Sequence, residues 1–214
     1  MATATQVTYL FDPLCGWCYG ASPMIGQLAA RPDIALDFMP TGLFAGHGAR
    51  PMDEHFAAYA WTNDQRIARL TGQPFSETYR HHVLGDRTRL LDSAPATLAL
   101  IAVAGAAPDL MFTALKAIQA ARYVEGRDIT DIAVLSAVLA TLNVPTLAAS
   151  LVNPDEMLMH AYRSRLETAR MEMRRFGAQG VPALIVGTGE GRRLMNANAL
   201  FGSLDVLVES LKAI

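Results

Sequence analysis

Residues 7–18 read Val7-Thr8-Tyr9-Leu10-Phe11-Asp12-Pro13-Leu14-Cys15-Gly16-Trp17-Cys18. The first five are β-branched, aromatic or apolar, as suits a buried strand. Asp12-Pro13 is a turn signal. The only two cysteines of the 214-residue chain then stand two residues apart. A helical pattern follows from Ala21 to Ala30. Two thiols so spaced at the start of a helix form a redox pair: one attacks a disulfide, the other resolves the mixed disulfide. Unpaired N–H groups at a helix N-terminus favour a thiolate. Cys15, at that end, is therefore the expected nucleophile and the more exposed sulfur. Cys18, one turn further in, is the expected resolving thiol. Gly16 permits a close turn, and Trp17 places apolar surface beside the sulfur.

Other uses of the cysteines fit less well. A bridge across so short a loop constrains the unfolded chain little. Structural zinc needs four ligands, and there is no second cysteine pair and no H-x₃₋₅-H. His81 and His82 are adjacent and diverge on a helix, while His47, His55 and His160 are scattered. No metal is expected. Asp12, three residues before Cys15, reads first as a turn residue, with proton acceptance from Cys18 as the alternative.

Outward from this stretch, Ile34 to Met39 alternates apolar and polar residues and ends at Pro40, a second strand. The helix between makes a βαβ crossover and hence parallel pairing. Gly42-Leu43-Phe44-Ala45-Gly46-His47-Gly48 is a loop whose backbone can approach a neighbour closely. From Pro51 to Gly177 the pattern is helical almost throughout. Asp53–Leu70 stops at Gly72. Ser93 is expected to cap a helix from Ala94, Pro108 to open one reaching Tyr123, and Thr130 to cap Asp131–Leu142. Asn153 is expected to cap Pro154–Phe176, with Glu156 in a capping box and Gly177 beyond the end. Ala183–Val186 is a strand, Gly187–Gly191 a turn and Arg192–Met195 a returning strand. Ser203 caps a last helix, Leu204–Ala213.

The order is thus βαβ, a helical block, then ββα. The last unit completes a sheet that the first half cannot close alone, so the helical block is an insertion. The expected division is 1–50 with 178–214 as one α/β unit and 51–177 as a helical one. Phe44, Met52, Trp61 and Tyr79 are candidates for an apolar groove beside the cysteines, against the plainer reading of core packing.

Composition narrows the function. Hydrophobic residues make up 51 % and charged residues 18 %, enough for a large core. A net charge of −2 with no basic tail gives nucleic acid no electrostatic footprint. No apolar run reaches the ~20 residues a membrane helix needs. Met1 to Gln6 carry neither a basic nor an apolar signal region, so a cytoplasmic protein is expected. In a reducing cytosol a lone C-x-x-C is catalytic rather than structural.

Gly180-Val181-Pro182 immediately precedes the strand Ala183–Val186. With the C-x-x-C after a first strand, this pair resembles the thioredoxin superfamily and, within it, the DsbA family: a thioredoxin fold interrupted by a large helical insertion. The run Tyr9 to Tyr19 is most similar to the FrnE-like branch of disulfide isomerases. The resemblance implies a cis proline at Pro182 facing the sulfur pair. It also implies substrate contacts at Gly16, Trp17, Val181 and Pro182, and protein or small-molecule thiols and disulfides as partners. No cofactor is implied beyond the redox pair, with glutathione as the co-substrate to consider. A neighbouring group shares the architecture: the kappa-class glutathione transferases and 2-hydroxychromene-2-carboxylate isomerases. It carries serine where Cys15 stands, and a glutathione-dependent isomerase or transferase is accordingly the alternative function.

Overall fold

The computed structural model describes residues 4–212. Strand β1 (Thr5–Phe11) leads through the Asp12–Leu14 turn into helix α1 (Gly16–Ala29), which returns to strand β2 (Ile34–Pro40). β1 and β2 pair in parallel, from Thr5 opposite Ile34 to Phe11 opposite Pro40. A two-residue ribbon, β3 (Arg50–Pro51), precedes helices α2 (Glu54–Thr71) and α3 (Glu77–His82) and pairs with β4 (Leu90–Leu91). Helices α4 (Ala94–Ala106), α5 (Met111–Tyr123), α6 (Ile132–Ala140), α7 (Pro145–Val152) and the long α8 (Glu156–Phe176) follow. The chain then re-enters the sheet as β5 (Ala183–Val186) and β6 (Arg193–Met195) and closes with α9 (Leu204–Lys212). The expected end of α9 at Ala213 lies outside the described residues.

The sheet order is β2-β1-β5-β6, with β5 antiparallel to β1 and β6 antiparallel to β5. This is the thioredoxin arrangement, with the helical block threaded between β2 and β5. Alternation along β1 explains the two cores. Val7, Tyr9 and Phe11 pack with Leu184, Val186 and the apolar face of α1. Leu10 points the other way and packs with Met39, Ala183, Ile185 and Ala169 of α8. α8 therefore covers one face of the sheet and α1 the other.

Several boundaries differ from expectation for local reasons. α1 begins at Gly16 rather than Ala21, because Cys15 itself is the N-cap. Ser93 makes no capping bond. Its hydroxyl donates to Asp12 instead (2.7 Å), and Asp92 Oδ1 accepts from Ala94 N (2.8 Å). Asp131, not Thr130, caps α6 through Ala133 N. α8 begins two residues later than Pro154, because Asp155 caps it through Leu158 N at 2.7 Å. α3, α7 and the β3–β4 ribbon stood outside the sequence reading. Gly72 and Gly177 end α2 and α8 in the left-handed conformation, as their positions suggest.

Gly16 and Gly20 share the face of α1 that meets α2. A Cβ on Gly20 would overlap the Cγ2 methyl of Ile67, and one on Gly16 would overlap Asp64 Oδ1. Ile67 is fully buried and β-branched, so it has little room to yield. Gly20→Ala is expected to destabilise by about 1–2 kcal/mol, overpacking outweighing the ~1 kcal/mol helix-propensity gain. Gly105→Ala is the control: its Cβ meets open space, so stability should hold or rise. Urea midpoints of the two variants check the contrast.

Candidate functional site

Asp12 organises the turn that presents the cysteines. Its Oδ1 accepts from Leu14 N (2.9 Å), and its Oδ2 from the Ser93 hydroxyl (2.7 Å) and Phe44 N (3.2 Å). Its carbonyl accepts from Cys15 N at 3.1 Å. One fully buried carboxyl thus joins the end of β1, the Gly42–Gly48 loop and the start of α4. Burial pushes its pKa up, opposed by the bonds from Ser93, Leu14 and Phe44. The turn-residue reading fits these bonds, and the tie to the helical block adds to it.

Cys15 and Cys18 are free thiols at the first turn of α1. Cys15 Sγ accepts from Cys18 N at 3.3 Å. That N–H is one of the donors that a helix start leaves without a backbone partner. Cys15 Sγ also lies 3.5 Å from the carbonyl oxygen of Val181, to which the thiol donates. The Val181–Pro182 bond is cis. A separation of 166 residues in sequence has become hydrogen-bond contact.

The two sulfurs differ in access. Cys18 is fully buried, whereas Cys15 keeps 8 % exposure and lines a cavity of about 350 Å³. Cys15 is thus the more exposed of the pair but far from open. Burial pushes the Cys18 thiol well up, and proximity to Cys15 adds to it. Cys18 stays protonated until a base or a departing thiolate takes its proton. Tyr9 lies beneath the pair, its hydroxyl donating to the Cys18 carbonyl at 3.4 Å.

Gly16, Trp17 and Val181 share the Cys15 cavity. Pro182 opens instead onto an adjoining groove of about 470 Å³, walled by Trp17, Val181 and Phe201. Trp17 packs edge-on against Phe201 with ring centroids 5.3 Å apart and so stands between the two spaces. Of the four groove candidates, Phe44 and Tyr79 line the cavity. Met52 is buried away from it, and Trp61 packs under Arg80. Among the described residues no three His, Cys, Asp or Glu side chains gather as a metal site.

Several cavity groups stood outside the sequence reading, among them Asp64 on α2 and Arg122 and Tyr123 on α5, which are buried polar groups. Tyr79 donates to Asp64 Oδ2 at 2.9 Å, and Tyr123 donates to the Leu14 carbonyl at 2.7 Å. Burial pushes Asp64 up to about 7, with the Tyr79 bond and Arg122 pulling against it. A signal for them existed. Asp64 continues the apolar stripe of Ala57, Ala60 and Ile67, and Arg122 that of Ala114 and Ile118. A charge on a buried stripe marks either a paired group or a site.

The family description "DSBA-like thioredoxin domain" matches residues 6–208. The cytosolic disulfide reductase DsbM from Pseudomonas aeruginosa superposes with a TM-score of 0.84 at 31 % identity, covering 97 % of each chain. The same reductase with GSH gives 0.83 at 30 % identity, covering 97 % of this chain and 98 % of that one. A candidate protein disulfide isomerase from Nitrosomonas europaea gives 0.77 at 23 % identity, covering 97 % and 98 %, a likeness of fold. No curated protein matches the chain.

Proposed function

The chain belongs to the DSBA-like thioredoxin domain family and is a thiol–disulfide oxidoreductase; we propose that Cys15 is its attacking thiolate and Cys18 its resolving thiol. The observation that carries this reading is the placement of Cys15 Sγ between Cys18 N and the Val181 carbonyl, on a cavity that Cys18 does not reach.

Cys15 as thiolate attacks one sulfur of a disulfide R–S–S–R′. The Cys15–S–S–R bond forms and R′S⁻ departs, taking a proton from water. Cys18 then loses its proton, attacks the Cys15 sulfur and expels RS⁻. The substrate gains two electrons and the protein becomes the Cys15–Cys18 disulfide. Two molecules of a thiol such as glutathione reset it by the reverse steps. Gly16, Trp17, Val181 and Pro182 frame the approach, and the Val181 backbone offers an extended substrate a hydrogen-bonding edge. Isomerisation of protein disulfides uses the same first attack, with release before Cys18 acts.

The reducing direction draws support from the Pseudomonas reductase, and thiol partners from its structure with GSH. A cytoplasmic site of action draws support from the cytosolic name of that relative. Among the described residues no helix is long and apolar enough to cross a membrane.

Cys18→Ala exposed to glutathione disulfide is the test. It should accumulate one glutathionyl group, reversible with dithiothreitol and mapped by mass spectrometry to Cys15. Wild-type protein under the same conditions should pass to the internal disulfide. A Cys18→Ala protein that stays unmodified sinks the proposal.

A further inference from the structure

Three charged groups line the Cys15 cavity: Arg50, exposed and stacked over Phe56, and the buried Asp64 and Arg122, both of which are short of partners. Asp64 is only 4 % exposed. Its Oδ2 takes one bond, from the neutral Tyr79 hydroxyl. Its Oδ1 receives no hydrogen bond among the described residues and lies against Gly16, the residue after the nucleophile. A carboxylate has about four lone-pair sites, so one donor leaves it under-satisfied. Arg122 is 2 % exposed, its Nε has no partner, and it acts on Asp64 through charge, with no salt bridge to any carboxylate among the described residues. Its guanidinium rests near the rings of Tyr79 and Tyr123, with carbon-to-centroid distances of 5.4 and 5.6 Å. The two tyrosine side chains supply stacking and polar contact to the guanidinium, and Nε is the donor left without a partner.

Burying a carboxylate and a guanidinium that attract one another but form no direct salt bridge is costly, and each retains unused hydrogen-bonding capacity. A ligand that brings an ammonium and a carboxylate on one carbon answers both at once. We propose that this wall binds the free α-amino-acid end of a low-molecular-weight thiol or disulfide, Asp64 accepting from its ammonium and Arg122 donating to its carboxylate while its sulfur meets Cys15. The cavity, at about 350 Å³, is in the range for small ligands. Gly16 matters because any side chain there would collide with Asp64 Oδ1. The inference rests on Cys15 as nucleophile and names the substrate class that the nucleophile serves.

Two disulfides separate recognition from chemistry. Glutathione disulfide carries zwitterionic γ-glutamyl ends; bis(2-hydroxyethyl) disulfide is small and uncharged. Oxidation of the reduced protein by each, at pH 8, is followed by stopped flow for the wild type, Asp64→Asn and Arg122→Lys. Asp64→Asn should slow the reaction with glutathione disulfide about 10- to 100-fold, the worth of one charge-assisted hydrogen bond. Its rate with the hydroxyethyl disulfide should stay within about 2-fold, a selectivity that general loss of structure cannot produce. Arg122→Lys keeps the charge but loses the planar fork, and should show the same selectivity in weaker form. Equal losses with both disulfides, or no loss with either, would overturn the assignment. Wild-type protein inert to both disulfides would instead remove the nucleophile reading beneath it.

Discussion

Cys15→Ser is expected to lose disulfide exchange by at least about 10³-fold, with Cys18→Ala retaining the first attack at near wild-type rate. A hydroxyl at residue 15 forms no bond to sulfur under these conditions, and Cys18 cannot take over. It is fully buried, its thiol is pushed well above the ordinary range, and it does not line the cavity. The comparison also decides between the two functions that share this architecture. A glutathione transferase or isomerase of the kappa or hydroxychromene type works with serine in that place. On that alternative, Cys15→Ser would keep or gain glutathione-dependent turnover, and Cys18→Ala would be silent. Exchange kinetics with glutathione disulfide, beside an assay of glutathione conjugation, give opposite orders for the two readings. Alkylation supplies a check on access: iodoacetamide should label Cys15 in the reduced protein and leave Cys18 until the protein unfolds.

Local signals carried most of the fold. β1 with its turn, the parallel β1–β2 crossover, the glycine ends of α2 and α8, and the Val181-Pro182 step before β5 were all legible. Each depends on a few neighbouring residues and on backbone geometry that only some residues supply. What failed depended on residues far away. Ser93 looks like a cap, but it is claimed by Asp12, 81 residues distant. Asn153-Pro154 competes with Asp155 as a helix start, and the aspartate reaches an N–H three residues on while the helix waits for it. α3, at six residues, and the β3–β4 ribbon are too short to show a period.

The candidate site divides in the same way. Cys15 and Cys18 were readable because a thiol pair at a helix start has little else to do. Asp64 and Arg122 were visible only as charges on apolar stripes, and their convergence depends on how α2 and α5 meet α1. Gly16 and Gly20 make the α1–α2 approach close. Glycines in a helix read as a cost until the neighbouring helix is in place. The sequence therefore points to the thiol pair directly and to its surroundings only through packing.

Asp64 should also leave a mark on the stability of the whole fold. In the unfolded chain its carboxyl ionises at the ordinary 3.8, whereas burial in the fold holds the proton to about 7. Between those values the folded chain carries more proton than the unfolded one, so stability falls as pH rises through the window. The slope approaches 1.36 kcal/mol per pH unit, and about three units give a loss on the order of 4 kcal/mol, complete above about pH 7. The sign is the reverse of that for a carboxylate held in an ion pair, which loses stability on acidification. Asp64→Asn has no proton to lose and should lack this slope. Asp12, raised in the same direction by burial, is common to both proteins and cancels in their difference. Urea unfolding of the pair at pH 4, 5, 6, 7 and 8 should therefore show the asparagine variant gaining steadily on the wild type up to about pH 7 and holding that advantage at pH 8. A constant difference across the range would mean that Asp64 ionises in the fold as it does in the unfolded chain, and that burial does not hold its proton.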